Sequence, residues 1–110
     1  MEIVRTGSYS RGVKRLRKLG ASDADITAME DAVASGPQAG DVIPGTGGLR
    51  KIRFGYGQAG KSGGGRTIYY VIVDDEVVYL LTTYAKVDKG DLTTGEKKMF
   101  KDLLKELTHG

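Results

Sequence analysis

Thr67-Ile68-Tyr69-Tyr70-Val71-Ile72-Val73, then Asp74-Asp75-Glu76, then Val77-Val78-Tyr79-Leu80-Leu81-Thr82-Thr83-Tyr84 is the part of the chain from which the rest can be laid out. Both arms are dense in β-branched and aromatic side chains, which suit a pleated, half-buried surface, and the acids between them suit a turn. The stretch predicts a β-hairpin. Strict alternation along its second arm would set Tyr79, Leu81 and Thr83 on one face, and Val78, Leu80, Thr82 and Tyr84 on the other. Upstream, Leu49-Arg50-Lys51-Ile52-Arg53-Phe54 alternates apolar and basic residues imperfectly and reads as a third strand with one basic face.

Between these strands and the N-terminal third lies glycine-rich chain. Of the 17 glycines, 11 fall between Gly36 and Gly65, so no long helix crosses the middle. Before it, Tyr9 to Leu19 is a basic amphipathic stretch with Val13, Leu16 and Leu19 at helical spacing, ended by Gly20. Ser22 is a candidate N-cap for a second helix carrying Ile26, Met29, Ala32 and Val33, which Ser35-Gly36-Pro37 closes. A short glycine turn between two helices predicts a helical hairpin. After the strands, Thr93-Thr94-Gly95-Glu96 matches a capping box, and Met99, Phe100, Leu103, Leu104 and Leu107 form the apolar stripe of a terminal helix. With room for a short strand at Glu2 to Arg5, the order predicts an α+β domain spanning residues 1–110. Its helical hairpin and C-terminal helix pack on one small, twisted antiparallel sheet.

Composition narrows the chemistry. The chain has 110 residues, 39% hydrophobic and 28% charged, which suits one soluble domain with a modest core. Its longest apolar runs, Ile68 to Val73 and Val77 to Leu81, are too short to cross a bilayer, and no signal-peptide stretch opens the chain. A cytoplasmic protein that works away from membranes is the expectation. There is no cysteine, which excludes disulfides, thiolate metal sites and cysteine nucleophiles. The only histidine is His109, so zinc sites and histidine triads are disfavoured, and neither metal nor cofactor is expected.

Charge is unevenly spread. Arg11, Lys14, Arg15, Arg17 and Lys18 fall in one acid-free run, and Arg50, Lys51, Arg53, Lys61 and Arg66 in a second. The acids gather at Asp23 to Asp31, Asp74 to Glu76 and Asp88 to Glu96. Such segregation gives a nearly neutral chain a positive surface suited to a polyanion. Within the second run, Gly55-Tyr56-Gly57-Gln58-Ala59-Gly60-Lys61-Ser62 formally satisfies the phosphate-binding loop pattern. That loop works only where a helix starts at its end, and here three glycines and a β-branched strand follow, so the match is refused.

Arg50, Lys51, Arg53, Lys61 and Arg66, with Lys86 at the end of the last strand, can converge on one sheet surface or edge. Tyr56, Tyr70 and Tyr84 are near enough in sequence to interleave with them. Arginine grips phosphate through forked donors, and a tyrosine ring offers a base a stacking face. Such a sheet suits single-stranded RNA better than duplex DNA, and no helix-turn-helix or zinc-finger spacing is visible. The competing reading makes the tyrosines core residues, which fits Tyr69 and Tyr79 best. Catalysis here must run without histidine, cysteine or paired carboxylates. RNA cleavage permits this, because the substrate's 2′-hydroxyl is the nucleophile and cations stabilise the pentacoordinate transition state. A tyrosine, or a lysine whose pKa crowded cations lower, is left for proton transfer.

Three blocks carry a family resemblance. They are Gly40-Asp41-Val42-Ile43-Pro44-Gly45-Thr46-Gly47-Gly48-Leu49-Arg50-Lys51-Ile52-Arg53, Gly60-Lys61-Ser62-Gly63-Gly64-Gly65-Arg66-Thr67-Ile68-Tyr69-Tyr70, and Leu80-Leu81-Thr82-Thr83-Tyr84-Ala85-Lys86. In this order and spacing, with Asp91-Leu92 and a terminal helix following, the chain resembles the HigB-type branch of the RelE/ParE toxin superfamily. The resemblance covers about Ser35 to Leu107. It implies a type II toxin–antitoxin toxin, an mRNA interferase that enters the ribosomal A site and cleaves mRNA as a metal-independent endoribonuclease. It also implies a cognate helix-turn-helix antitoxin, through which alone the operator DNA is met. By position, it matches Lys51, Arg53 and Arg66 to basic sheet residues that hold RNA and stabilise the transition state, Lys61 to a basic loop residue, and Tyr84 and Lys86 to the end of the last strand. Joined to the reading of the basic and aromatic residues, this makes Lys51, Arg53, Arg66, Tyr84 and Lys86 the catalytic candidates, with Tyr84 left for proton transfer by elimination, and Arg50, Lys61 and Tyr70 the RNA-binding ones. Val87 departs from the branch, which usually has a polar residue there, and no acid–base tyrosine follows the last strand. Two alternatives share the fold: a non-enzymatic ParE-like toxin acting on DNA gyrase, and an inactive RelE-like binding protein.

Overall fold

A computed structural model describes residues 1–58, 60 and 63–109. In chain order its elements are β1 (Glu2–Arg5), α1 (Gly7–Lys18), α2 (Asp23–Ser35), β2 (Asp41–Val42), β3 (Arg50–Phe54), β4 (Gly65–Ile72), β5 (Val77–Ala85) and α3 (Thr94–His109). The five strands form one sheet in the order β1-β5-β4-β3-β2. The hairpin expected around Asp74-Asp75-Glu76 is β4–β5, and the basic strand is β3, antiparallel to β4. The sheet is mixed, however, where an antiparallel one was expected: β1 pairs in parallel with β5, from Glu2 beside Val77 to Arg5 beside Leu80. Parallel neighbours need a long crossover, and here everything from α1 to β4 supplies it, a separation that local sequence pattern does not register.

Local chemistry sets the helix ends. Thr6 Oγ1 accepts from Tyr9 N at 3.2 Å to start α1, and its hydroxyl donates to Leu81 O at 2.7 Å, tying that start to β5. Gly20, at φ +107°, turns the chain out of α1. Ser22 caps α2 in a reciprocal box with Asp25. Helix α1 lies so close on β5 that a Cβ on Gly12 would fall 2.1 Å from Thr83 O, so glycine is required there. After the glycine-rich segment comes β4, antiparallel to β3, so the helix that a phosphate-binding loop needs does not follow; Ala59, Lys61 and Ser62 of that pattern lie outside the described residues. No helix among the described residues is long and apolar enough to cross a membrane.

The sheet separates two apolar layers. Under α1 and α2 lie Tyr9, Leu16, Ile26, Met29, Val33, Tyr69, Val78 and Leu80. Under α3 lie Ile43, Leu49, Ile68, Leu81, Tyr84, Leu92, Phe100 and Leu104. These groupings overturn strict alternation along β5. Ile68 pairs with Thr82 but Tyr69 pairs with Leu80, so Leu81 is a bulge residue without a partner across the ladder. One extra residue reverses the facing of everything after it. Tyr84 therefore joins Tyr79 and Leu81 under α3, while Thr83 bonds Thr67 and faces the helical hairpin.

Candidate nucleic-acid interface

Register builds the site. Arg53 on β3 stands opposite Arg66 on β4, and Arg66 stands opposite Tyr84 on β5. Residues opposite one another across antiparallel strands share a face, so these three make one row on the sheet face that carries α3. Lys51, opposite Ile68, flanks them in the next row of that face. Without the bulge Tyr84 would point into the helical hairpin and the row would lack its hydroxyl.

Burial within the row is graded. Arg53 is exposed and Lys51 half-buried, whereas Arg66 is only 5% exposed, with Nη1 donating to Gly65 O at 2.9 Å among its interactions. A buried guanidinium is costly unless its donors are hydrogen-bonded or paired. Tyr84 is buried too, and its hydroxyl has no hydrogen-bond partner among the described residues. Burial first, then the nearby Asp91 carboxylate, pushes the phenol up to about 12, with Arg66 pulling the other way. The phenol is therefore neutral at physiological pH, an O–H donor facing a cation with nothing yet to donate to.

The segment between β5 and α3 frames this row. Lys89 Nζ lies 5.3 Å from the centroid of the Tyr84 ring and is ion-paired with Glu96. Lys51 Nζ contacts Asp91 Oδ1 at 3.3 Å, and the same oxygen accepts from Leu92 N at 2.8 Å. Asp91 sits below the ordinary carboxylate range: burial raises it, but the Leu92 N–H and Lys51 outweigh that. Glu96 sits low because Lys89 holds its charged form. Lys89, Asp91 and Glu96 were absent from the residues proposed from sequence. Only the capping-box pattern around Thr93 and Glu96 hinted that a carboxylate would be fixed here.

Other proposed residues go elsewhere. Arg50 pairs with Tyr69 on the opposite face, and its guanidinium donates to Gly40 O at 2.8 Å and Gln38 O at 3.2 Å, tying down the chain after α2. Tyr70 pairs with Tyr79 on the site's face, but about 13 Å along the strand from Arg66, packed in the α3 layer. Tyr56 is buried against Phe54 in the hairpin layer and offers no stacking face. Lys86 is exposed just beyond β5, where its N–H donates to Gly64 O at 2.9 Å, at the same sheet end as the row. Lys61 lies outside the described residues. In α1, Arg15 grips Asp88 with two 3.0 Å bonds and Arg17 pairs with Asp23, so part of that basic run is already neutralised. Among the described residues, no three His, Cys, Asp or Glu gather as metal ligands.

The row lies on open sheet surface at its Arg53 end and enters buried ground at Tyr84. That suits a polymer laid across the strands with one linkage presented inward. A groove of about 880 Å³ between the start of α1 and α3 contains none of the row.

Comparison with known proteins is consistent with this layout. A family model described as the RelE toxin of the RelE/RelB toxin–antitoxin system matches residues 1–109. The free-state structure of an arginine-to-alanine double mutant of E. coli toxin RelE aligns at TM-score 0.57 and 17% identity, covering 90% of this chain and 95% of that one. The isolated E. coli RelE toxin aligns at TM-score 0.53 and 20% identity, covering 93% and 97%. At such identity the structures speak for the fold alone.

Proposed function

The chain belongs to the RelE toxin family, and from that premise we propose that it is a ribosome-dependent mRNA endonuclease of a type II toxin–antitoxin system. The observation that carries this reading is the cross-strand pair of buried Arg66 and Tyr84, whose neutral hydroxyl has no partner among the described residues. In the reaction, the 2′-hydroxyl of one nucleotide attacks the adjacent phosphorus. Its O–P bond forms as the bond to the 5′-oxygen breaks, leaving a cyclic phosphate and a 5′-hydroxyl. Arg66, with Arg53 and Lys51, stabilises the charge gathering on the phosphoryl oxygens, in place before reaction begins. Tyr84, kept protonated by burial, gives its proton to the departing 5′-oxygen. The proton released by the 2′-hydroxyl returns to the phenolate through water. Lys86 extends the cationic track for flanking phosphates, and the family resemblance gives Lys61 an RNA-binding role as well.

The pairing of Asp91 with Lys51 fits the same reading. The carboxylate takes the place on Lys51 that a phosphate would claim, and a half-exposed pair of this kind is weak enough to be exchanged for RNA. As a family member the chain has an antitoxin partner. We assign that antitoxin a helix-turn-helix domain that carries the pair to its operator, and place the activity in the cytoplasm with the ribosomes.

The test is a translation extract programmed with a defined mRNA, with cleavage mapped by primer extension, with and without ribosomes, beside Arg66→Ala. Discrete cuts that require both ribosomes and Arg66 are the expected outcome. Intact mRNA with translation blocked would replace cleavage by occlusion of the ribosome. Intact mRNA with normal translation would turn attention to gyrase or to an inactive binding protein.

A further inference from the structure

With no hydrogen bond to its hydroxyl from the described residues, Tyr84 is held by the apolar layer and by Lys89, whose ammonium covers the ring at 5.3 Å from its centroid. Lys89 is held in turn. Its Nζ donates to Glu96 Oε2, while Glu96 Oε1 accepts from Thr93 N at 2.9 Å and Glu96 N donates to Thr93 Oγ1 at 3.1 Å. One carboxylate thus starts α3 with one oxygen and fixes a cation over the tyrosine with the other. A capping box requires only Glu or Gln at this position and requires no lysine. The lysine is an addition that the helix start does not explain.

The geometry points to Glu96 and Lys89 as positioning residues for Tyr84, a brace running from the first turn of α3 onto the face of the proton-donating ring. The inference rests on the nuclease reading above. A cation over an aromatic face is drawn by the ring's quadrupole, more strongly as water is excluded. Lys89 and Glu96 are 34% and 29% exposed, so their pair is partly dry yet not sealed. Because the lysine touches the ring and not the reacting atoms, losing it should misplace the hydroxyl while leaving RNA binding intact.

Substitutions can separate the two duties of Glu96. Glu96→Gln still accepts from Thr93 N but offers Lys89 an uncharged amide. Thr93→Ala does the converse, dropping the Oγ1 acceptor and keeping the backbone N–H that anchors Glu96. In the ribosome-programmed cleavage assay, Glu96→Gln and Lys89→Met should lower the maximal rate by about 3- to 30-fold, with the half-saturating ribosome concentration unchanged. Lys89→Arg, which also stacks and pairs, should restore it. Thr93→Ala should lower Tm by about 4–8 °C and leave the rate alone. A wild-type rate in Lys89→Met, or a change confined to half-saturation, overturns the brace. Aromatic NMR of the free protein reads it without cleavage: the Tyr84 ring signals should move in Glu96→Gln and Lys89→Met but not in Thr93→Ala. If the wild type cuts nothing, the nuclease reading fails and those spectra alone decide, with unmoved Tyr84 signals overturning the brace.

Discussion

On the face covered by α1 and α2, buried hydroxyls are matched. Tyr69 donates to Pro37 O at 2.7 Å and accepts from Gly40 N at 2.9 Å, Thr67 and Thr83 bond each other at 2.9 Å, and Tyr9 donates to Glu30 at 2.6 Å. On the face covered by α3, Tyr84 buries a hydroxyl with no partner among the described residues beside a buried arginine, while Lys51 and Lys89 are held by Asp91 and Glu96. One sheet thus carries a side whose buried hydroxyls are matched internally and a side where, among the described residues, the buried Tyr84 hydroxyl is not. A buried, unmatched donor costs about 1–3 kcal/mol, so its retention is the mark of a site rather than of a core.

The largest expected effects separate the two faces cleanly. Arg66→Ala should reduce cleavage by about 10²- to 10³-fold, the scale of losing one pre-placed electrostatic donor. Gly12→Ala, which drives a Cβ into the Thr83 carbonyl, should cost about 1–3 kcal/mol of stability with cleavage per folded molecule unchanged. Urea unfolding measured beside the cleavage assay checks both. Equal losses in activity and stability from either variant would erase the distinction.

A sharper comparison removes the same atom from each side. Tyr69→Phe strands the buried Gly40 N–H and should cost about 1–3 kcal/mol, with no selective effect on cleavage. Tyr84→Phe removes a hydroxyl that lacks a partner, so stability should hold or rise by about 1 kcal/mol while cleavage falls about 10²-fold. Opposite signs in the denaturation midpoints are the outcome to look for, and equal destabilisation would break the comparison.

The smallest effect concerns acid. Arg5 and Tyr9 hold the Glu30 carboxyl below its ordinary value of 4.5, with the Arg5 hydrogen bond the leading cause. A carboxylate depressed by folding adds stability above that ordinary value and loses it as pH falls through the depressed one. Urea midpoints should therefore drop on acidification below about pH 4.5, and less steeply in Glu30→Gln. An unchanged slope would remove this cluster from the acid response of the hairpin face.

Much of the architecture was readable from local chemistry. Gly20, Ser22 and the Thr93–Glu96 box mark helix ends because caps and positive φ are decided by a few neighbouring residues. The strands showed through their β-branched and aromatic density, and Lys51, Arg53 and Arg66, which the register puts on one face, stood out through basic spacing and resemblance as candidates. Arg50 misled because it differs from Lys51 by one position, which on a strand means the other face. Tyr56 misled because a tyrosine suits a core as well as a nucleic-acid surface.

By itself, the sequence determined the kinds of element, their order, the lack of any cysteine, and a surplus of cations where the strands are. Those follow from residue type and short-range pattern. Only the tertiary structure decided that β1 joins the sheet in parallel, that a bulge at Leu81 turns Tyr84 toward Arg66, and that Lys89, Asp91 and Glu96 close around them. Each depends on which strand lies beside which and in what register, a pairing between residues far apart in the chain that no local preference encodes.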